Sequence, residues 1–256
     1  MVREKANRRI GLARALSKMG YCSRSRAEAL IRSGSVRLNG KICLNVETPT
    51  CSTDIKIEID GKELSPAKKI YLALNKPRGV VTTASDDQGR VTVYRYLPEC
   101  LRWIAPVGRL DKASEGLLLL TNDPEWASRI TAPGTHLRKI YHVQVDTVAD
   151  RALLDFTMKG ARCQGDVLRV IGARLLRSGQ RNSWIEVVLE EGKNRQIRRL
   201  LDQLGIGVLR LVRVAIGPLV LGDLEKGQWR FLNAEEKRLL DQTMAITPKA
   251  SHATLN

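Results

Sequence analysis

The pattern of apolar residues along this 256-residue chain changes near residue 70, and that change divides it into two folding units of unequal size. Between Arg9 and Met19, Ile10, Leu12, Ala13, Leu16 and Met19 recur at intervals of three and four, the helical period, and Gly20 stops the run. Ser25 with Glu28 three residues later reads as a capping box for a second helix, with Ala27, Leu30 and Ile31 on one face and Gly34 as its stop. Val36 and Leu38 then alternate with basic residues ahead of the turn dipeptide Asn39-Gly40. Ile55, Ile57 and Ile59 alternate with Lys56 and Glu58 up to Asp60-Gly61. Residues 1–61 are therefore expected to form two helices and a small sheet, and the polar stretch 62–69, with its single proline, a linker.

From residue 70 to 244 the pattern predicts an α+β domain, a largely antiparallel mixed sheet with flanking helices. Strands are expected at Val107–Leu110, Leu117–Thr121, Lys139–Val145, Val167–Ile171, Trp184–Leu189 and Val208–Val214. Asp123-Pro124 caps and opens a helix through Ile130. Ile197, Leu200, Leu201 and Leu204 give another helix one apolar face, with Arg195, Arg198 and Arg199 on the other and Gly205 as the stop. Residues 245–256 read as a polar tail.

Charge narrows the class of partner. Lys and Arg number 43 against 27 Asp and Glu, a formal +16, and the excess is focused. Met1 to Lys41 holds 11 basic and 2 acidic residues, while Ile42 to Asp60 holds 1 and 4; a second focus of 6 basic residues and 1 acidic lies at Lys193 to Arg213. Focused basic charge suits a polyanion. In the first unit Arg24, Arg26, Arg32, Arg37 and Lys41 fall on the turn, second helix and hairpin, where a small fold presents them together. Five cysteines without a CxxC pair and three histidines offer neither a disulfide framework nor a zinc site, so a reducing, cytoplasmic location is expected. The Arg-rich, acid-poor start resembles a transit peptide in composition, but its apolar spacing continues into the first helix. No apolar run approaches the roughly 18 residues needed to cross a bilayer, so no membrane partner is expected.

Two segments mix glycine with charge: Gly108-Arg109-Leu110-Asp111 and Gly192-Lys193-Asn194-Arg195-Gln196-Ile197-Arg198-Arg199. A carboxylate beside several guanidinium groups stays ionised. On composition alone Asp111 reads equally as a turn or surface ion-pair residue, Tyr141 as a core residue alternating with Val143 and Val145, and Arg213 as structural or functional.

Family resemblance takes the reading further. Gly20-Tyr21-Cys22-Ser23-Arg24, Ala27-Glu28-Ala29-Leu30-Ile31 and Gly34-Ser35-Val36-Arg37-Leu38-Asn39-Gly40 resemble the small RNA-binding domain named after ribosomal small-subunit protein four. Gly108 through Asp123 resembles the catalytic motif of the pseudouridine synthases, of the branch named after RsuA. Asn75-Lys76-Pro77-Arg78-Gly79-Val80-Val81, Lys139-Ile140-Tyr141, Glu191 through Leu200, and Leu211-Val212-Arg213-Val214 with Gly217 resemble its other motifs, in family order. The resemblance implies isomerisation of uridine to pseudouridine in ribosomal RNA, with the large subunit favoured. It implies Asp111 as catalytic carboxylate, Tyr141 as the aromatic against the target base and Arg198 as the basic partner of Asp111.

Because the reaction moves a bond within one nucleotide and changes no oxidation state, no cofactor or metal is expected. Asp111 either attacks the sugar or removes its 2′ proton, and both routes stay open. Arg109, beside the catalytic Asp, is expected to hold the distorted backbone of an extruded nucleotide, and Arg195 and Arg199 to contact phosphate. Ribosomal RNA or a pre-ribosomal particle is the expected partner of a monomer. The competing readings are a non-catalytic RNA-binding or ribosome-assembly factor, and the same chemistry on transfer RNA.

Overall fold

The computed structural model describes residues 10–50, 56–65, 67–101, 103–132, 134–135 and 137–245. The beginning of the expected first helix at Arg9, the strand residue Ile55 and the tail beyond Ala245 lie outside them. Contacts group the residues up to Tyr71, with Glu99–Ala105 and Leu120–Ala127, into one unit; Leu72–Pro98, Pro106–Leu119 and the residues from Ser128 onward form a second.

In the first unit, Asn39-Gly40 and Asp60-Gly61 fold as two-residue turns with positive φ at both positions, 48° and 81°, then 49° and 77°. This is the backbone that tight hairpins need. The turns close a four-stranded antiparallel sheet in the order β2-β1-β3-β4, made of β1 (Val36–Leu38), β2 (Lys41–Ile42), β3 (Ile57–Ile59) and β4 (Lys62–Glu63). Lys62 and Glu63, expected in the linker, are thus an edge strand. The cause is the Asp60-Gly61 turn, which folds the chain back onto β3.

Two helices, α1 (Leu12–Lys18) and α2 (Arg24–Arg32), pack on the buried residues of β1 and β3; Leu12, Leu16, Ala27, Ile31 and Val36 are wholly buried. The expected capping box at Ser25 and Glu28 is not formed. Ser23 holds extended backbone and accepts from Arg26 N at 3.2 Å, so Ser25 is already inside the helix and Glu28 pairs with Arg32 instead.

The second unit is built on a nine-stranded sheet in which antiparallel pairs predominate and one pair is parallel. Its main strands are β5 (Tyr71–Lys76), β6 (Glu115–Thr121), β7 (Lys139–Val145), β8 (Gly172–Ser178), β9 (Ser183–Leu189), β10 (Val208–Ile216) and β11 (Trp229–Phe231). Their order is β8-β9-β7-β10-β6-β5-β11. Strand β6 is buried along its whole length, as its continuous apolar run predicts for a central strand. Strands β7 and β9 bury alternate residues, Tyr141, Val143 and Val145 against Ile185, Val187 and Leu189. Helix α3 (Pro124–Thr131) is divided between the two units, and helices α4 (Arg151–Lys159), α5 (Gln196–Asp202) and α6 (Ala234–Ala245) complete the second.

Three expectations need correction. Val107–Leu110 is a bend and not a strand, because Gly108 turns the chain at φ 71° before Asp111. In Val167–Ile171 only the beginning is strand, where Asp166–Leu168 pairs with Ala161–Cys163. Leu204 is 40 % exposed, since α5 ends at Asp202, before the apolar stripe reaches it.

Candidate active site

Parallel pairing of β6 with β10 sets the frame: Glu115 stands beside Val212 and Gly116 beside Arg213. Gly116 has φ 100°, and a Cβ there would lie 2.3 Å from the Arg213 carbonyl oxygen, so only glycine lets the two backbones meet. The loop that enters β6 carries Asp111. Every carbonyl from residue 110 to 114 is held by a donor. Thr82 Oγ1 donates to Leu110 O (2.8 Å), Lys76 Nζ to Asp111 O (3.1 Å) and Ser114 O (2.7 Å), Gly79 N to Lys112 O (2.7 Å), and Arg198 Nη2 to Ala113 O (3.2 Å). The loop backbone is clamped while its carboxylate is not. Among the described residues no side chain forms a hydrogen bond or ion pair with Asp111, which is half-buried.

Lys76 is wholly buried, and burial pulls its ammonium down to about 8; the charges of Asp111 and Glu115 pull it back up, and Arg213 pushes it further down. Glu115 is buried in an ion pair with Arg210 (3.0 Å) and Lys226 (2.7 Å). Desolvation raises its carboxyl, but these two partners outweigh it and leave the group below its ordinary range.

Asp111 opens onto a cavity of about 300 Å³ whose wall includes Arg109, Tyr141, Lys139, Arg195 and Arg213. That size suits a single small planar group. Tyr141 is 9 % exposed, in a stretch of β7 where the register with β10 shifts between Ile140 and Tyr141. Arg109 and Arg195 are exposed at the rim, and Arg195 adopts left-handed backbone, φ 48°, at the start of α5. Lys139 Nζ donates to Glu190 O at 2.9 Å; burial and the nearby Arg213 lower its pKa, and Glu190 opposes them. Among the described residues no group of three His, Cys, Asp or Glu side chains is placed to hold a metal ion.

Arg198 is not in the cavity wall. It approaches the Asp111 loop from behind, donating to Val208 O (2.9 Å) and Ala113 O, and its Nε is buried without an acceptor among the described residues. Its relation to Asp111 is therefore through space and not through a direct ion pair: burial and the charges of Arg195 and Arg78 lower its pKa, and Asp111 raises it. Arg199, expected at phosphate, is instead committed within the protein. Its side chain is 17 % exposed and donates to Asp166 (2.9 Å) and Cys163 O (2.6 Å), tying α5 to the 161–168 hairpin. In the first unit Arg24, Arg26, Arg32, Arg37 and Lys41 are all exposed, with Arg32 paired to Glu28 at 3.3 Å. Sequence reasoning gave Lys76 no role. Its signals were its place in the Asn75-Lys76-Pro77 motif and its position just after the apolar strand residues Leu72, Ala73 and Leu74.

The chain is similar to known proteins over most of its length. Residues 70–203 match the family model described as RNA pseudouridylate synthase, and residues 10–55 match the S4 domain model. An uncharacterised RNA pseudouridine synthase of Aquifex aeolicus is 35 % identical over 232 residues, 90 % of this chain and 93 % of that protein. Ribosomal large subunit pseudouridine synthase B of Bacillus subtilis is 34 % identical over 231 residues, 90 % of this chain and 94 % of that protein. A crystal structure of a pseudouridylate synthase superposes with a TM-score of 0.64 at 29 % identity, covering 90 % of this chain and 99 % of that one.

Proposed function

The chain belongs to the RNA pseudouridylate synthase family, with an S4 domain ahead of the synthase domain, and from that premise we propose that it converts uridine to pseudouridine in large-subunit ribosomal RNA with Asp111 as its single catalytic carboxylate. The name of the Bacillus subtilis relative, which spans nearly the whole chain, supports the choice of RNA. The observation that carries the chemistry is the Asp111 loop: five successive carbonyls are fixed and the carboxylate is left unpaired, facing a cationic cavity. A fixed, unspent carboxylate loses no protein partner when substrate arrives.

In the reaction the bond from the sugar C1′ to N1 of uracil breaks, its electron pair leaving with the base. Asp111 compensates the sugar either by bonding to C1′ or by taking the 2′ proton. After the base turns, C5 bonds to C1′ as the bond from Asp111 to C1′ breaks or, on the other route, as Asp111 returns the proton to C2′; the C5 proton then leaves and N1 gains a proton, so every atom is accounted for. The enzyme needs no cofactor for this balance. Tyr141 offers a flat wall against which the free base turns, and the bound RNA strand covers the open side of the cavity so that the base does not escape. Arg109 and Arg195, exposed at the rim, are placed to meet phosphates of an extruded nucleotide. The five exposed cations of the S4 domain, Arg24, Arg26, Arg32, Arg37 and Lys41, grip the RNA backbone elsewhere.

The test is tritium release from RNA labelled at C5 of uridine, with large-subunit, small-subunit and transfer RNA compared, followed by mapping of the pseudouridines formed. Release confined to large-subunit RNA supports the reading. Release confined to transfer RNA, or from none of the three, contradicts it.

A further inference from the structure

Arg213 is the buried cation of the cavity wall whose hydrogen-bonding capacity is least used. It is 6 % exposed, yet its guanidinium makes one hydrogen bond, from Nε to Leu117 O at 2.7 Å, and Nη2 is buried with no acceptor among the described residues. No carboxylate pairs with it among the described residues. The contrast with its neighbours is sharp: Arg198 spends both terminal nitrogens on carbonyls, and Lys139 spends its ammonium on Glu190 O. Leaving a guanidinium nitrogen buried without an acceptor is costly, and such a group calls for a partner that water, an ion or a ligand can supply.

The register says where that partner would lie. Arg213 is the cross-strand neighbour of Tyr141, so the two side chains leave the same face of the sheet side by side. Gly116 holds the Arg213 backbone against the strand that follows the Asp111 loop. A base lying against the Tyr141 ring therefore presents its edge to Arg213.

Resting on the pseudouridine synthase reading above, we infer that Arg213 is the residue that holds the target base, its terminal N–H groups donating to a carbonyl oxygen of uracil. When the C1′–N1 bond breaks, the electron pair spreads over N1, O2 and O4 of the base. A guanidinium beside one of these oxygens binds the detached base more strongly than the attached one, which is the differential binding that speeds a reaction. The geometry of uracil makes one donor sufficient for both ends of the process. A half-turn about the line through C6 and N3 exchanges N1 with C5 and O2 with O4, so Arg213 meets a carbonyl oxygen before the turn and another after it. Its role is to position and to stabilise charge. Bond making stays with Asp111.

The test uses the full chain in excess over large-subunit RNA labelled with tritium at uridine C5, so that one turnover is read. Arg213→Met is expected to slow release about a hundredfold, the usual effect of removing one such donor. RNA affinity is expected to stay within about twofold, because a buried residue makes no phosphate contact. Arg213→Lys keeps the charge but cannot bond Leu117 O through Nε, and is expected to recover about tenfold over the Met variant. A structural role predicts the opposite pattern, with both variants losing activity equally and in step with a lower unfolding midpoint. That pattern, or a Met variant within about threefold of wild type, overturns the proposal. Should the Met variant fail to fold, Arg213→Lys decides alone: slower turnover at unchanged midpoint and RNA affinity supports the role, and an unchanged rate overturns it. Absence of release by the wild-type chain would instead strike at the pseudouridine synthase reading itself, and so the two failures are told apart.

Discussion

Lys76 Nζ donates to the backbone carbonyl of Asp111 at 3.1 Å, and this wholly buried ammonium also holds Ser114 O at 2.7 Å and Pro77 O at 3.1 Å. One side chain thus fixes both ends of the Asp111–Ser114 turn. Lys76→Met leaves those carbonyls without their donor, and is expected to cost roughly 2–4 kcal/mol in urea unfolding and to reduce turnover more than RNA affinity.

The same lysine sets a pH dependence. Its pKa in the folded chain is about 8, below the ordinary 10.5, so between those values the unfolded chain binds more protons than the folded one. Stability of the wild type relative to Lys76→Met is therefore flat below pH 8 and rises as pH climbs through this window. Denaturant unfolding of both proteins at a series of pH values checks the sign; a difference that falls with pH contradicts the buried-cation account.

Gly116→Ala places a methyl group 2.3 Å from the Arg213 carbonyl oxygen on a backbone at φ 100°. Strain and clash together are expected to cost at least ~3 kcal/mol and to force β6 and β10 apart. The unfolding midpoint measures the first effect, and single-turnover tritium release the second.

Arg195 and Arg199 are four residues apart and should respond oppositely. Arg199→Met removes bonds to Asp166 and Cys163 O and is expected to destabilise by roughly 2–3 kcal/mol without changing the salt dependence of RNA binding. Arg195→Gln, at an exposed position on the cavity rim, is expected to leave stability within ~0.5 kcal/mol and to weaken RNA binding. Filter binding at several salt concentrations separates the two.

Much of this architecture was legible in residue spacing. The turn dipeptides Asn39-Gly40 and Asp60-Gly61, the alternation along Lys139–Val145 and the Asp123 cap at α3, which accepts from Trp126 N at 3.1 Å, are local signals that the fold obeys. Local signals also misled. Ser25 and Glu28 have capping-box spacing, but Ser23 reached the extended conformation first and took the role. Helix α6 is capped reciprocally by Asn233 and Glu236, at 2.8 Å and 2.9 Å, but asparagine with glutamate is a less distinct form of the capping-box signature and does not mark the helix by spacing alone. The site was harder. Motif order pointed to Asp111 and Tyr141, but which cation faces the cavity depends on the β6–β10 register, and no spacing within one segment reveals that Arg213 lines the wall and Arg198 stands behind it.

The S4 domain makes a prediction about salt. Arg37 and Lys41 are exposed on adjacent strands of its hairpin, beyond the reach of the buried core. If each meets a phosphate, Arg37→Gln and Lys41→Gln should each lower the slope of log affinity against log salt by roughly 0.7–0.9, with single-turnover rates at saturating enzyme unchanged. An unchanged slope removes these residues from the RNA interface.

The central claim is that one carboxylate, on a loop whose backbone is held at five successive carbonyls, does the chemistry. Its most direct measurement is tritium release by Asp111→Asn from large-subunit RNA labelled at uridine C5, with RNA affinity and the unfolding midpoint recorded on the same preparation. Release is predicted to disappear while affinity and midpoint stay close to wild-type values, because among the described residues the Asp111 side chain makes no hydrogen bond or ion pair to lose and acts on Lys76 and Arg198 only through space. Continued release by this variant would contradict the account outright.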